Sequence, residues 1–310
     1  GDPNGNVLDN EKVLESLDIF PTVNLIYAVK EQQNLRFAYA RTVARPSFKE
    51  LSFAQIIDPL TNRIFNGSLF QYDDWAGELL QTNIDNLDLR WEKFMDRGQI
   101  LSASAFFKNF ENPIELVRIP QQLTTSEFQP RNVGNARILG IELEATHGLD
   151  FISDNFSNWS VSGNLTLVRS RVDMTDREYD ARKIFEKDGE TIERTRQMAG
   201  QAPYVVNFGL SYKNAEKGLT AGVFYNVKGP ALEIVGSGRF PDIYQEPFHS
   251  VNLGVNKKLG EEQNTVIDLK VSNLLNDKRE SFYRSYEAAD QVFSSLNPGT
   301  TISLGISHNF

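Results

Sequence analysis

Apolar and polar residues alternate with a period of two along much of this chain, and this pattern constrains the fold more than any other feature. In the C-terminal ten residues, Ile302, Leu304 and Ile306 fall on one face, while Ser303 and Gly305 fall on the other. Alternation of this kind places successive side chains on opposite sides of an extended backbone. It recurs in many segments, so the sequence predicts an all-β fold.

The alternating segments are longer than ordinary strands, which average about 5–6 residues in soluble proteins. Most contain about nine to thirteen residues, and a tilted strand needs about 9–11 to cross the hydrocarbon layer of a membrane. The prediction is therefore a portion of an antiparallel transmembrane β-barrel, with about eleven strands. The predicted strands are residues 22–30, 34–42, 82–94, 99–109, 136–147, 157–172, 202–213, 218–228, 248–259, 264–273 and 300–310.

The predicted connections alternate strictly between short and long. In an antiparallel sheet this order puts all the long loops at one end of the strands and all the short turns at the other. Outer-membrane barrels show this asymmetry, with long extracellular loops and short periplasmic turns. The long connections are expected near residues 43–81, 110–135, 173–201, 229–247 and 274–299.

Charged residues lie on one face of some predicted strands. Asp88, Arg90 and Glu92 share a face, and so do Glu142 and Glu144. In a large barrel such side chains point into a wet lumen, whereas in a filled core they would be costly without partners. A one-sided soluble sheet is the alternative, although it leaves the segregated loops unexplained.

Composition argues against several functional classes. The net charge is −9 and the chain has no cysteine, which disfavours nucleic acid as a partner and removes thiolate chemistry. His147 lies near Ser160 and Ser162 in sequence, but at a turn, and no metal-ligand or nucleophile spacing occurs. We therefore expect no enzymatic activity, no cofactor, no metal site and no catalytic residue.

Several stretches, taken in order, resemble the C-terminal half of the barrel of TonB-dependent outer-membrane receptors, and their combination looks most like receptors of Bacteroidetes. They cover nearly the whole chain. They are NLRFAYARTVARPSFKEL (34–51), NLDLRWEKF (86–94), NVGNARILGIELEATHGL (132–149), RQMAGQAPYVVNFGLSY (196–212) and VIDLKVSNLLNDK (266–278).

The resemblance implies a barrel of about 22 strands, of which residues 1–310 would be the C-terminal portion. The plug domain and the N-terminal strands are expected to be absent from the chain. It also implies active uptake of a nutrient (a glycan, a peptide or a chelated metal) across the outer membrane of a Gram-negative bacterium. The implied partners are outer-membrane lipid, the barrel-assembly machinery, TonB through the N-terminal part and, in some receptors, a surface lipoprotein.

Aromatic residues beside polar groups mark the candidate ligand-binding positions in the long loops. The segments FQYDDW (70–75) and FYRSY (282–286) give four candidates, Tyr72, Trp75, Tyr283 and Tyr286. Such rings can stack on apolar parts of a ligand, but they can equally serve only to pack the loops. Phe310 is expected to act as the barrel-assembly signal. Residues 173–196 carry many charges and are expected to form a solvated loop.

Two other functions remain open at this stage. A passive porin or an outer-membrane adhesin can be built on a similar barrel, and an outer-membrane hydrolase is disfavoured by the missing catalytic set.

Overall fold

The computed structural model describes residues 12–119, 126–260 and 262–309. Eleven long strands form one sheet, and they confirm the eleven predicted segments to within a few residues. We number them as barrel strands in chain order. They are β1 (Thr22–Lys30), β2 (Gln33–Ala44), β3 (Thr82–Phe94), β4 (Ile100–Glu111), β5 (Ala136–Gly148), β6 (Trp159–Asp173), β7 (Tyr204–Asn214), β8 (Leu219–Lys228), β9 (Phe248–Leu259), β10 (Thr265–Ser272) and β11 (Thr301–His308).

Each barrel strand pairs antiparallel with the strands that precede and follow it in sequence. The order in the sheet is therefore the order in the chain, and within the described residues β1 and β11 each have a neighbour on one side only. Simple hairpin connectivity of this kind is typical of outer-membrane barrels.

Short turns of 2–10 residues join the strands at one end, such as the turn at 215–218. Gly218 ends that turn with a φ of 55°, and a Cβ there would lie 2.9 Å from the Lys258 side chain. A left-handed backbone in a crowded turn favours glycine.

One face of the sheet is a continuous apolar surface. The register places Leu25 opposite Phe37, and Phe37 opposite Leu89. At the far edge Leu269 lies opposite Leu304. These side chains are exposed, with Leu25 at 60% and Leu304 at 69%. Exposure of so large an apolar surface to water would be unfavourable, so the face is suited to contact with lipid.

The opposite face is polar, and several of its charges are paired. Arg36 contacts Glu92, and Arg90 Nη2 lies 2.8 Å from Glu144 Oε2. Ser102 also donates a hydrogen bond to Glu144, at 3.2 Å. Farther along the sheet, side-chain amides continue the polar surface. The predicted face for Arg90, Glu92 and Glu144 is confirmed, and it is the face that a closed barrel turns towards its lumen.

The five long connections contain secondary structure that the alternation pattern did not predict. They are residues 45–81, 112–135, 174–203, 229–247 and 273–300, and together we call them the loop cap. Each of two small sheets has four strands. The first contains, in spatial order, Gln55–Asp58, Arg63–Asn66, Ser126–Asn132 and Ile114–Arg118; the second contains Ala231–Ile234, Asp242–Gln245, Arg279–Arg284 and Gln291–Leu296.

Helical structure is confined to short segments. Helix α1 (Asp176–Lys183) lies in the third connection, where the two-residue strand Thr195–Arg196 pairs with β6. Turns of 3₁₀ helix span Asp96–Gly98 and Asp154–Phe156. In the part of the chain that the structure describes, no helix is long and apolar enough to cross a membrane.

A hydrophobic core inside the loop cap joins four of its connections. Three of them each contribute a phenylalanine ring: Phe65, Phe128 and Phe293. The Phe65 and Phe128 rings stack with 5.1 Å between their centroids, and the Phe128 ring meets that of Phe293 edge-on at 6.0 Å. Ile234 and Ile243 from the fourth connection are almost fully buried against these rings. The long loops therefore pack on one another as a folded layer.

Candidate functional site

Four connections of the loop cap surround a cavity of about 410 Å³. Asp74 and Trp75 come from the first connection and Arg131 from the second, while the third supplies Arg177 and the fourth Val235. Backbone bonds fix two of these connections to each other, because Arg118 N donates to Val235 O at 2.9 Å and Val235 N donates to Leu116 O at 3.0 Å. The cavity therefore exists only where separate loops meet.

Arg131 is the central charged group of the site. It lies on the strand Ser126–Asn132, and its Nη1 and Nη2 donate to Asp74 Oδ2 and Oδ1 at 2.8 and 3.1 Å. Its Nε donates to the buried Gln129 at 2.9 Å. Burial lowers the pKa of Arg131 to about 10, against an opposing effect of Tyr72. The bidentate geometry fixes the guanidinium plane.

A second arginine reaches the same carboxylate from helix α1. Arg177 Nη2 lies 3.4 Å from Asp74 Oδ2, and the Arg177 side chain is 62% exposed, whereas that of Asp74 is 7% exposed. One buried carboxylate is thus shared by two guanidiniums. The exposed side of Arg177 keeps N–H donors available for a carboxylate, hydroxyl or phenolate oxygen.

Trp75 lines the cavity, as its prediction as a ligand-binding residue requires. Its indole Nε1 donates to Ser68 O at 2.6 Å, which fixes the ring orientation. Paired backbone bonds between Tyr72 and Trp75, at 3.0 and 2.9 Å, form the local turn. The Arg131 guanidinium lies 5.3 Å from the Trp75 ring centroid and 5.6 Å from that of Tyr72, within the range of cation–π attraction.

Tyr72 supports the site from behind the cavity lining. Its hydroxyl donates to Glu127 Oε2 at 2.8 Å and accepts from Asn66 Nδ2 at 2.6 Å. Burial, together with the neighbouring Glu127, raises the pKa of Tyr72 above its ordinary range. Tyr72 is therefore a neutral donor that positions the ring beneath Arg131.

The other two predicted aromatics lie elsewhere in the loop cap. The Tyr283 ring meets Phe293 edge-on at 5.4 Å and packs against the cap core. Tyr286 is 38% exposed, and its backbone carbonyl accepts a bond from Lys187 Nζ at 2.6 Å. The structure thus brings Tyr72 and Trp75 together but not Tyr283 and Tyr286, whose ligand contacts stay a prediction. Phe310 lies outside the described residues.

The expectation of a solvated loop at 173–196 is wrong for three of its charged residues, Glu178, Arg182 and Arg196. Arg196 Nη1 lies 2.7 Å from Glu115 Oε2, and the two side chains are 6% and 1% exposed. Arg196 also binds Glu178, and Arg182 joins Glu178 to Asp242. Charges that look dispensable in sequence thus form a buried network across three connections.

The pKa values in this network reflect burial and ion pairing in opposite directions. Burial raises the pKa of Glu115 despite its contact with Arg196. For Asp242, burial acts in the same sense, but Arg182 and the Gly236 amide outweigh it and hold the pKa below its usual value. Asp242 is accordingly a fixed anion, whereas Glu115 is sensitive to the loss of its arginine.

The geometry does not support a nucleophile–base pair at His147. The register places His147 opposite Val161, so Ser160 and Ser162 project from the other face of the sheet. The ring instead meets Phe151 edge-on at 5.1 Å, beside the turn. Among the described residues no cluster of His, Cys, Asp or Glu has the arrangement of a metal site.

A family model described as TonB dependent receptor-like, beta-barrel matches residues 3–274. Comparison with curated proteins finds no match.

Solved structures of uptake receptors share the fold at low sequence identity. A mutant of the ferric enterobactin receptor PfeA of Pseudomonas aeruginosa, in complex with enterobactin, has 17% identity and a TM-score of 0.57 over 94% of this chain and 40% of its own. The ferric yersiniabactin uptake receptor FyuA of Yersinia pestis has 17% identity and a TM-score of 0.57 over 93% of this chain and 37% of its own. The ferric citrate transporter FecA has 14% identity and a TM-score of 0.58 over 93% of this chain and 38% of its own.

The chain therefore spans about two-fifths of the length of these solved receptors. Their likeness shows the barrel fold, and the family model covers most of the 310 residues. The chain belongs to the TonB-dependent receptor-like β-barrel family.

Proposed function

We propose that the chain is the C-terminal barrel portion of a receptor that imports a nutrient across the outer membrane of a Gram-negative bacterium. The observation that carries the proposal is the pairing of a lipid-suited apolar face with a folded loop cap at one end of the strands. A passive pore needs an open entrance, whereas a capture receptor needs a structured surface facing the medium.

The remaining barrel strands and a plug domain are proposed to come from a region N-terminal to this chain. The coverage of about two-fifths of the solved receptors supports this proposal, as does the fact that β1 and β11 each have a single neighbour among the residues that the structure describes. TonB would act through that region. The barrel-assembly machinery, reading Phe310, and a surface lipoprotein are further proposed partners.

The ligand is proposed to bind at the cavity of the loop cap. Trp75 offers a fixed aromatic surface, and the exposed side of Arg177 offers donors for anionic or hydroxyl oxygens. Arg131 is held by Asp74 and lies within cation–π distance of the Trp75 ring. A glycan, a peptide or an oxygen-rich metal chelate fits this chemistry. The ligands of the solved relatives, enterobactin, yersiniabactin and ferric citrate, favour the chelate.

Uptake by cells that carry or lack the complete receptor gene tests this function. Candidate glycans, peptides and ferric chelates are each supplied as the sole source of the nutrient. Accumulation of the supplied compound in the cells is measured with and without a functional TonB. Accumulation that needs both the receptor and TonB supports the proposal. Accumulation that needs the receptor but not TonB would instead indicate a passive porin.

The Trp75→Ala variant locates the site, with Phe48→Ala as the matched control. Phe48 is 96% exposed in the same connection and does not line the cavity. We expect Trp75→Ala to weaken ligand binding about tenfold, since loss of a stacking ring costs on the order of 1–2 kcal/mol. Phe48→Ala should bind normally, and equal affinities for both variants would remove Trp75 from the site.

A further inference from the structure

Three arginines cluster on the outward, apolar face of the sheet near its loop end. Arg137 on β5 lies opposite Arg171 on β6, and Arg169 lies opposite Leu139 in the next row. All three arginines are exposed. Alternation puts them on the same face as Leu139 and Leu167, so they border the lipid-suited surface and not the lumen. Paired residues in antiparallel strands are about 4.5–5.5 Å apart, so the guanidiniums form one patch.

The patch carries excess positive charge. Arg137 Nη2 lies 4.0 Å from Asp173 Oδ2, in a pair of which both side chains are more than half exposed. Arg169 and Arg171 form no ion pair or side-chain hydrogen bond with any residue that the structure describes. Asp173 is the one carboxylate on the outward face of β5 and β6 beside these three cations, since Glu111 on the neighbouring strand β4 is paired with Arg41, and the loosely held Arg137–Asp173 pair does little to neutralise them.

Arg41 on β2 provides an internal comparison, because it lies in the same row of paired residues as Arg137 on the outward face. Arg41 lies opposite Asp85, and its Nη2 is 3.6 Å from Glu111 Oε2. One carboxylate thus pairs with this arginine, and a second lies opposite it in the register. The excess positive charge is local to β5 and β6 and does not extend around the whole sheet.

The height of the patch matches the lipid headgroup region. On β6, Trp159 faces outward at the turn end and Arg169 lies ten residues later. That separation is about 33 Å along a strand, or roughly 25 Å along the membrane normal at the usual barrel tilt, which is the height of the apolar band in these barrels. Tyr204, opposite Leu167, marks the loop-side boundary with an aromatic ring.

We propose that Arg137, Arg169 and Arg171 bind the phosphate groups of an anionic lipid headgroup in the loop-side leaflet. The inference rests on the proposed membrane location. Guanidinium forks match phosphate oxygens in charge and geometry. The leucines directly below the patch contact acyl chains of the same lipid, so phosphate and chain are recognised together.

The test uses the complete receptor in phosphatidylcholine nanodiscs, titrated with diphosphorylated lipid A and, separately, with the same glycolipid after removal of its phosphates. Bound lipid is counted by native mass spectrometry. We expect the unmodified receptor to prefer the phosphorylated form and the Arg169→Gln/Arg171→Gln variant to lose about twenty-five-fold in affinity, roughly fivefold for each charge. Excess inorganic phosphate should displace little lipid, because it lacks the chains.

Arg41→Gln is the matched control and should leave lipid affinity unchanged, while Arg169→Lys/Arg171→Lys should retain most of it. Equal affinity of the receptor for phosphorylated and dephosphorylated glycolipid, or an equal loss in Arg41→Gln, would overturn the proposal. Displacement by inorganic phosphate alone would show a simple anion site and would also overturn it. A receptor that cannot enter phosphatidylcholine nanodiscs would overturn the membrane function itself, which separates the two failures.

Discussion

Replacing Arg196 with methionine tests whether buried ion pairs hold the loop cap together. Arg196 contacts Glu115 at 2.7 Å and also binds Glu178, with exposed fractions of 6%, 1% and 15% for the three side chains. Methionine keeps much of the side-chain volume but leaves the Glu115 carboxylate buried without its cation. Removing one partner of a buried pair typically costs about 3–5 kcal/mol. The cap should lose that stability while the barrel sheet keeps its own.

The cost should depend on pH in a defined direction. Burial already raises the pKa of Glu115, and loss of Arg196 removes the charge that favours ionisation. A carboxyl group whose pKa is higher in the folded than in the unfolded state destabilises the fold at pH values above its folded-state pKa. This destabilisation disappears as the pH falls towards the unfolded-state pKa of about 4.3. The variant cap should therefore be weakest near neutral pH and recover in mild acid. Glu115→Gln combined with Arg196→Met should remove this dependence.

Hydrogen–deuterium exchange, corrected for intrinsic rates, measures the loss of stability separately for each segment. Amides of Ile114–Arg118 and Asp176–Lys183 should lose roughly two to four orders of magnitude of protection, and β5 should stay unchanged as the internal reference. Arg194→Met is the matched control, because Arg194 and its partner Asp176 are 61% and 88% exposed, and surface pairs contribute little. Unchanged protection in Arg196→Met, or an equal effect in Arg194→Met, would show that the buried ion pairs do not hold the loop cap together.

Two further predictions concern the sheet and the cap core. Ile141→Arg, on the outward face of β5, should destabilise insertion by about 2–4 kcal/mol in urea titrations with lipid vesicles. Thr166→Arg, which projects from the polar face opposite Glu142, should be tolerated, and equal costs would contradict the assignment of the two faces. Phe128→Ala should destabilise the loop cap by about 3–5 kcal/mol, because its fully buried ring links three connections. Faster proteolysis within the cap would show this loss, and a cap as resistant as the unmodified one would contradict it.

The barrel strands could be predicted because their signal is local. The alternation in 300–310 or 157–172 needs no distant partner to be recognised, and hairpin connectivity then fixes the neighbours. The end at which the long loops lie followed from counting the connections. Nothing beyond the period of two and the spacing of segments was needed for this part of the fold.

The small sheets of the loop cap could not be predicted in the same way. Arg63–Asn66 has four residues and pairs parallel with Ser126–Asn132, more than sixty residues later in the chain. So short a strand has no resolvable period, and its partner is chosen by long-range packing such as the contact of Phe65 with Phe128. Sequence patterns carry no direct signal of that choice.

The candidate site shows the same division between local and long-range information. Trp75 could be selected because an aromatic residue beside two aspartates is visible in the sequence. Arg131 could not, since its role arises from contacts with Asp74 and Trp75 in another connection. Tyr283 had the same local signal as Trp75, yet its ring packs on Phe293. A loop aromatic thus marks either a site or a core until the loop packing is known.

Cysteine labelling of intact cells tests the proposed orientation of the barrel in the outer membrane, because the 310 residues contain no cysteine that would compete for the label. Asp188→Cys places an exposed thiol in the loop cap, and Glu216→Cys places one in a short turn at the opposite end. With a membrane-impermeant maleimide, we expect labelling of Asp188→Cys on intact cells, and of Glu216→Cys only after the outer membrane is permeabilised. Labelling of the turn but not the loop on intact cells, or of neither before lysis, would contradict an outer-membrane barrel with its loop cap facing the medium.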